Sequence, residues 1–454
     1  MRWITRDRTF YSSLFRLAIP VALQNLITFS VNFADNIMIS SLGDAAVSGV
    51  FMGNQMQTLL QMLSGGIEGA LLILAAQYWG KRDTGSIKRI VAIGLHFSIL
   101  FGALLTLICS LFPKTLIGLF STADSVINAG TKYLRIVCFS YIFFCITQAL
   151  IAAMRSIEVA RIGMHVSLIS LFVNIILNYI LIFGKLGLPA MGIQGAAVAT
   201  VLSRFAEMLT MIFYIAKKDK ILQLKLTDLL SSDPLLRRDF VRNGLPIIGG
   251  NIVWSVNMMA SSAILGRFSE SVTSAVSVAN TMNSLAYVTM NGMSAAVGII
   301  TGKTVGAGKT QLMKEYARTV QLLFLAVGLL TGSAVFLLRH PFTSLYTGIS
   351  AEAAACAVSL ITVLAVSSVG TCYQAACLAG LVKAGGDVGF VFKNDTLFVF
   401  LIVLPSAVLA SYLGAPPWAV FACLKCDQIL KCFVAVVKIN SFNWMKNLTR
   451  SNSD

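Results

Sequence analysis

The chain has 454 residues, 57% of them hydrophobic and only 12% charged. Soluble domains carry about 25% charged residues, so the composition points to a membrane protein and leaves no stretch for a soluble catalytic domain. The net charge of +16 would suit a nucleic-acid binder, but its position along the chain argues otherwise.

Twelve apolar spans are expected, at 14–39, 50–79, 90–112, 133–153, 162–184, 190–216, 241–266, 273–302, 317–338, 354–382, 391–413 and 416–438. Each reaches or exceeds the roughly 20 residues that cross a bilayer. If the N-terminus is cytoplasmic, the cytoplasmic segments, counted with the span ends that adjoin them, hold 26 Lys and Arg, and the opposite loops counted in the same way hold six. That asymmetry is the positive-inside pattern. It places both termini in the cytoplasm and accounts for the basic charge without nucleic acid. The basic start leads into a segment too long and too polar for the core of a cleavable leader.

The first span carries Asp35. A carboxylate at bilayer depth is costly and marks a functional position by default. Gln24, Thr28, Asn32 and Asp35 recur at helical spacing, so they share one face. Such a stripe is expected to line a cavity rather than meet lipid. Span 2 carries a second stripe, Asn54, Gln57, Gln61, Ser64 and Glu68. Span 5 carries Ser167, Ser170, Asn174 and Asn178. Arg204 and Glu207 in span 6 stand at i and i+3 and are expected to pair.

The longest charged stretch, 217–241, reads as a cytoplasmic linker, with Ser231, Ser232, Asp233 and Pro234 as breakers. It separates an N-terminal lobe, 1–216, from a C-terminal lobe, 242–454. The lobes repeat. Leu17-Ala18-Ile19-Pro20 matches Asn243-Gly244-Leu245-Pro246, with the two prolines 226 residues apart, and the same offset aligns Gly66 with Gly292 and Ala70 with Ala296. Six spans per half send both halves into the membrane from the same side, so a repeat axis along the membrane normal is expected. The fold class is therefore all-α and polytopic, with two pseudo-symmetric six-helix bundles.

In the second half, span 7 offers Asn251, Ser255 and Ser262, and span 8 offers Asn280, Asn283, Tyr287 and Asn291. Asp427 and Lys431 in span 12 stand at i and i+4 and are expected to pair. Cys423 and Cys426 form a lone CxxC, and without a second pair or histidines no metal site is expected. His96, His165 and His340 are scattered and suggest no catalytic cluster, so no enzyme activity and no cofactor are expected.

Several segments together resemble the multidrug and toxic compound extrusion (MATE) family. They are LAIP at 17–20, Asp35-Asn36-Ile37-Met38 with Leu42-Gly43, Ala76-Gln77-Tyr78-Trp79-Gly80-Lys81, GIQGAAVAT at 192–200, and Lys383-Ala384-Gly385-Gly386-Asp387. The resemblance covers nearly the whole chain. It implies a monomeric exporter in the cell membrane that exchanges organic, often cationic, compounds for H⁺ or Na⁺ by alternating access. It implies an ion or proton site at Asp35, Asn174, Asn178 and Thr200, and a bend of the first span at Pro20. Many relatives carry Asp where this chain has Asn178, which favours H⁺ over Na⁺. The substrate cavity is expected at Gln24, Thr28, Asn32, Gln57, Gln61, Glu68, Asn251, Asn280, Asn283 and Tyr287. The alternatives are a flippase for a lipid-linked or endogenous metabolite and, less favoured, a membrane-embedded enzyme.

Overall fold

The structure is a computed structural model, and it describes residues 4–119, 123–225, 227–230, 233–346 and 349–450. Ser231 and Ser232 of the expected linker lie outside the described residues. Every long apolar segment is a helix. The N-terminal half holds α1 (Arg8–Ser40), α2 (Asp44–Gly80), α3 (Thr84–Leu111), the short α4 (Pro113–Gly118), α5 (Asp124–Val137), α6 (Ser140–Ser156), α7 (Arg161–Phe183) and α8 (Ile193–Lys217). The second half holds α9 (Pro234–Leu265), α10 (Glu270–Gly306), α11 (Thr310–Ser344), α12 (Ala351–Gln374), α13 (Val388–Phe398), α14 (Leu404–Tyr412) and α15 (Pro417–Ser441).

Among the described residues, ten helices or continuous helical stretches are long and apolar enough to cross a bilayer. The fourth expected span is an eleventh candidate, made of α5 and α6, which meet at a 51° bend. The twelfth corresponds to α15. Its charges, Lys425, Asp427, Lys431 and Lys438, explain why composition alone does not mark it as a span. Two spans change helix type on the way. α12 widens into a π-helical stretch at Ala375–Lys383, and α13 runs through another at Val399–Val403 into α14. Such wide turns recur at functional places.

The chain forms two compact units, and they do not divide at the 217–241 linker. One comprises Leu23–Ile248 and the other Met1–Ala22 with Gly249–Asp454. The divisions fall inside α1 and α9, two residues beyond Pro20 and Pro246. The first 22 residues therefore pack with the second half of the chain, and α9 as far as Ile248 packs with the first. A helix that keeps its hydrogen bonds can serve a different core at each end.

Each unit has its own apolar core. In the Leu23–Ile248 unit, Val50, Leu60, Cys109, Tyr133, Leu134, Tyr141 and Ala197 are buried together. In the other, Ala275, Val278, Leu360, Ile361, Val403 and Val420 are. Glycines bring helices close. A Cβ on Gly370 in α12 would stand 2.2 Å from the main-chain oxygen of Gln428 in α15. At that distance only glycine fits.

Candidate functional site

The Leu23–Ile248 unit encloses a polar cavity of about 150 Å³. Asn32, Asp35 and Asn36 of α1 reach it, as do Asn54, Gln57 and Gln61 of α2, Ser170 and Asn174 of α7, and Thr200, Ser203 and Arg204 of α8. Tyr133 of α5 adds a phenol. Helical spacing explains why α7 and α8 each supply several groups, since residues three and four apart share a face.

The hydrogen bonds converge on Asp35. Asn178 Nδ2 donates to Asp35 Oδ1 at 2.5 Å and to Asn174 Oδ1 at 3.1 Å. Both asparagines are buried, and Asn174 Nδ2 and Asn178 Oδ1 have no partner among the described residues. Buried polar atoms are nearly always satisfied, so one free donor and one free acceptor beside a carboxylate suit a small polar guest or water. Tyr133 Oη donates to Asn54 Oδ1 at 3.2 Å. The Thr200 hydroxyl donates to the main chain of Ala196.

Arg204 gives this cavity a fixed positive charge. Its guanidinium pairs with Glu207 at 2.7 Å, as the i, i+3 spacing predicts, and Glu207 is buried. It also lies within electrostatic reach of Asp35. Arg204 and Tyr133 were not expected at the site. A signal for Arg204 was present, since it stands one turn after Thr200 on the same face. Tyr133, beside Lys132 and Arg135 on the mixed α5 segment, gave none.

A second polar layer sits elsewhere in the same unit. Arg155 Nη2 donates to Gln24 Oε1 at 2.6 Å. Ser64 donates to Glu68 Oε1 at 3.0 Å, and Arg155 lies within electrostatic reach of that carboxylate. Gln24 and Glu68 are therefore not among the residues lining the Asp35 cavity. The physical reason is depth. Gln24 and Asp35 share a face but are eleven residues apart, about 16 Å along the helix. Glu68 is likewise displaced from Asn54 along α2. Thr28, between the layers, donates to the main-chain oxygen of Gln24.

The remaining expected residues, Asn251, Asn280, Asn283 and Tyr287, belong to the other unit. Asn280 is exposed and Asn251, Asn283 and Tyr287 are half-buried. Tyr287 lies within electrostatic reach of Asp427. That residue anchors a charge network. Lys431 Nζ bridges Asp427 at 3.0 Å and Asp395 of α13 at 2.9 Å. Gln428 Nε2 donates to both Asp427 oxygens at 2.9 Å, and Gln374 donates to Gln428. The Asp427–Lys431 pair follows from spacing. Asp395 comes from a distant helix and no local pattern announces it.

A helical bundle in two units, with a lone carboxylate among amides in a buried polar cavity, defines a polytopic membrane carrier. Its relatives give the family. The MatE family profile matches residues 20–180 and 246–413, so the chain belongs to the MatE family of multidrug efflux transporters. The matched segments begin at Pro20 and Pro246, the repeat-related prolines. The chain is 26% identical over 335 residues to a probable multidrug resistance protein NorM of Thermotoga maritima, covering 74% of this chain and 72% of the relative. It is 22% identical over 440 residues to a probable NorM of Listeria innocua, covering 96% and 95%. Among solved structures it resembles the Vibrio cholerae MATE transporter VcmN in its bent form, with a TM-score of 0.86, 16% identity, and 96% and 97% of the chains covered. A MATE crystallised with MaL6 superposes with a TM-score of 0.85 at 20% identity, covering 95% and 96%. The protein is a multi-pass membrane transporter of small molecules.

Proposed function

We propose that this chain exports organic cations in exchange for protons, with Asp35 as the coupling carboxylate. The observation that carries this reading is the Asp35–Asn178–Asn174 chain in a polar cavity of about 150 Å³. Ligand pockets for drug-sized molecules run from roughly 300 Å³ upward, so a cavity of this size suits a proton, a small cation or water better than the exported compound. Arg204 on the same wall supports protons over Na⁺. A fixed guanidinium opposes a second cation but does not oppose neutralisation of a carboxylate. Asn178 supports the same choice, because it supplies an amide where an acid would add the negative charge that Na⁺ prefers.

In this reading a proton entering from outside neutralises Asp35 and weakens both the hydrogen bond it accepts from Asn178 and its attraction to Arg204. The hydrogen bonds of α1 rearrange, with Pro20 as the bend, and substrate leaves. Deprotonation toward the cytoplasm restores a site that favours a cation. The coupling is bounded by the differential affinity of the proton for the two states. Asn32, Gln57 and Gln61 line the approach to Asp35. The positive-inside pattern supports both termini in the cytoplasm, and the reading takes the protein as a monomer in the cell membrane.

The test is efflux of a fluorescent organic cation from proteoliposomes under an imposed pH or Na⁺ gradient. Export driven by the pH gradient alone supports the reading. Export that needs Na⁺ and ignores pH overturns it.

A further inference from the structure

Among the described residues, one ammonium in an open groove of the Gly249–Asp454 part of the chain stands without an ion-pair partner. Lys425 of α15 lines a groove of about 660 Å³ between α12 and α15, with Ser359, Thr362, Val366, Trp418 and Ile429 among its neighbours. Among the described residues it makes no hydrogen bond or ion pair, and its one ring contact is Phe421 at 5.6 Å. Asp427 lies within electrostatic reach but is committed to Lys431 and Gln428. It also stands only two residues on, and residues i and i+2 of a helix do not face each other. An uncompensated cation at membrane depth is costly, and an anion from outside the protein would relieve that cost.

The groove has a polar end and an apolar end. Ser359, Thr362 and Trp418 lie toward the starts of α12 and α15, and Val366, Ile429 and Leu430 lie further along both helices, together with Ser367, whose hydroxyl donates to its own helix at Leu364 O. Val366 and Ile429 also line a second groove of about 960 Å³, which continues over α11 past Phe336, Phe433 and Val436. Glycines permit this shape. Gly328, Gly332 and Gly370 let α11 and α15 close onto the α12 backbone, leaving a channel rather than a ridge. Helical side chains lean toward the helix N-terminus, so Lys425 reaches toward Trp418 and the polar end. Long basic side chains near helix ends take this posture toward headgroups.

We propose that this surface is a binding site for an anionic glycerophospholipid. The phosphate and its neighbours meet Lys425, Ser359 and Thr362, and an acyl chain runs along Val366, Ile429 and the second groove. The match is one of charge and polarity order together. A zwitterionic lipid would fill the same channel but bring a second cation to Lys425.

The test uses the purified full chain in nanodiscs containing phosphatidylglycerol and phosphatidylcholine, with lipids retained after mild detergent release counted by native mass spectrometry. The parent protein is expected to retain phosphatidylglycerol preferentially, by roughly fivefold, the factor that ~1 kcal/mol per basic residue at an anionic surface implies. Lys425→Gln is expected to abolish the preference while still retaining lipid, and Lys425→Arg to keep it. Lys220→Gln, which removes a linker charge, controls for net charge. If Lys425→Gln fails to fold, Val366→Trp, which blocks the channel and keeps the charge, is expected to lower retention of both lipids. Equal retention of the two lipids by the parent overturns the proposal, as does an undiminished preference in Lys425→Gln. Soluble glycerol phosphate is expected not to compete. If it does, a free phosphate site rather than a lipid site is present. None of these readouts depends on transport.

Discussion

Asp35 faces one amide donor and one guanidinium, and its neighbours Asn174 and Asn178 each keep one polar atom free. A group so placed should be dispensable for folding and indispensable for coupling. Asp35→Asn is expected to abolish pH-driven efflux while membrane expression holds, because it removes a buried charge and can still hydrogen-bond. Efflux beside expression level, in the same vesicles, measures this. Asn178→Asp restores a second acid, and its expected result is greater Na⁺ dependence, read as transport rate against external Na⁺ at fixed pH. Glu68 needs a different expectation. Since Ser64 and Arg155 engage it away from the Asp35 cavity, Glu68→Gln is expected to lower thermal stability and not to discriminate cationic from neutral substrates. Losing the charge that accepts the Ser64 hydrogen bond costs about 1.5–3 kcal/mol at most. The polar stripes of α1 and α2 were legible in the sequence, but depth was not. A face read at helical spacing says which side a residue is on, and Gln24 with Glu68 shows that one side can serve two layers.

Residues 442–450 make a join between elements. Asp387, in the turn before α13, accepts from Lys438 at 2.7 Å and from Lys446 at 2.7 Å. Lys446 N donates to Gly385 O, and Trp444 is buried against Gly385. Gly386 has φ of 102°, with Lys446 O where a Cβ would be. Burial pulls the Asp387 carboxyl up, but the two ammonium groups outweigh it and hold it below the usual carboxylate value. The sign follows. A depressed folded pKa stabilises at pH above the unfolded value of about 3.9, and that contribution fades as pH falls through the folded value. Asp387→Asn is expected to expose 442–450 to protease at neutral pH, and the parent to show the same exposure only in strong acid. Between α12 and α15, Gly370→Ala is expected to destabilise by about 1–3 kcal/mol, the range for overpacking, because the new methyl meets backbone at Gln428. Helix existence was readable from apolar runs. The π-helical stretches and the Asp395–Lys431 bridge were not, since both depend on neighbours far away in sequence.

Across the whole chain the repeat is more faithful than its sequence. Pro20 and Pro246 are 226 residues apart, and the unit divisions after Ala22 and Ile248 keep that same offset. The aligned prolines were visible in the sequence. That the chain would divide inside those helices, rather than at the charged linker, was not, because a continuous helix shows no break in its hydrophobic pattern. The orientation of these helices is set by charge. With 26 Lys and Arg in one set of segments and six in the other, the linker and both termini are expected to face the cytoplasm. Single cysteines test this. Lys220→Cys lies in the linker and Lys185→Cys in the exposed turn after α7. An impermeant maleimide is expected to label Lys185→Cys on intact cells and Lys220→Cys only after permeabilisation, with the parent as background since its cysteines are buried or half-buried. Labelling in the reverse order would invert the topology. It would also reverse the direction in which a proton gradient could drive export, so this measurement constrains the proposed coupling as well as the orientation.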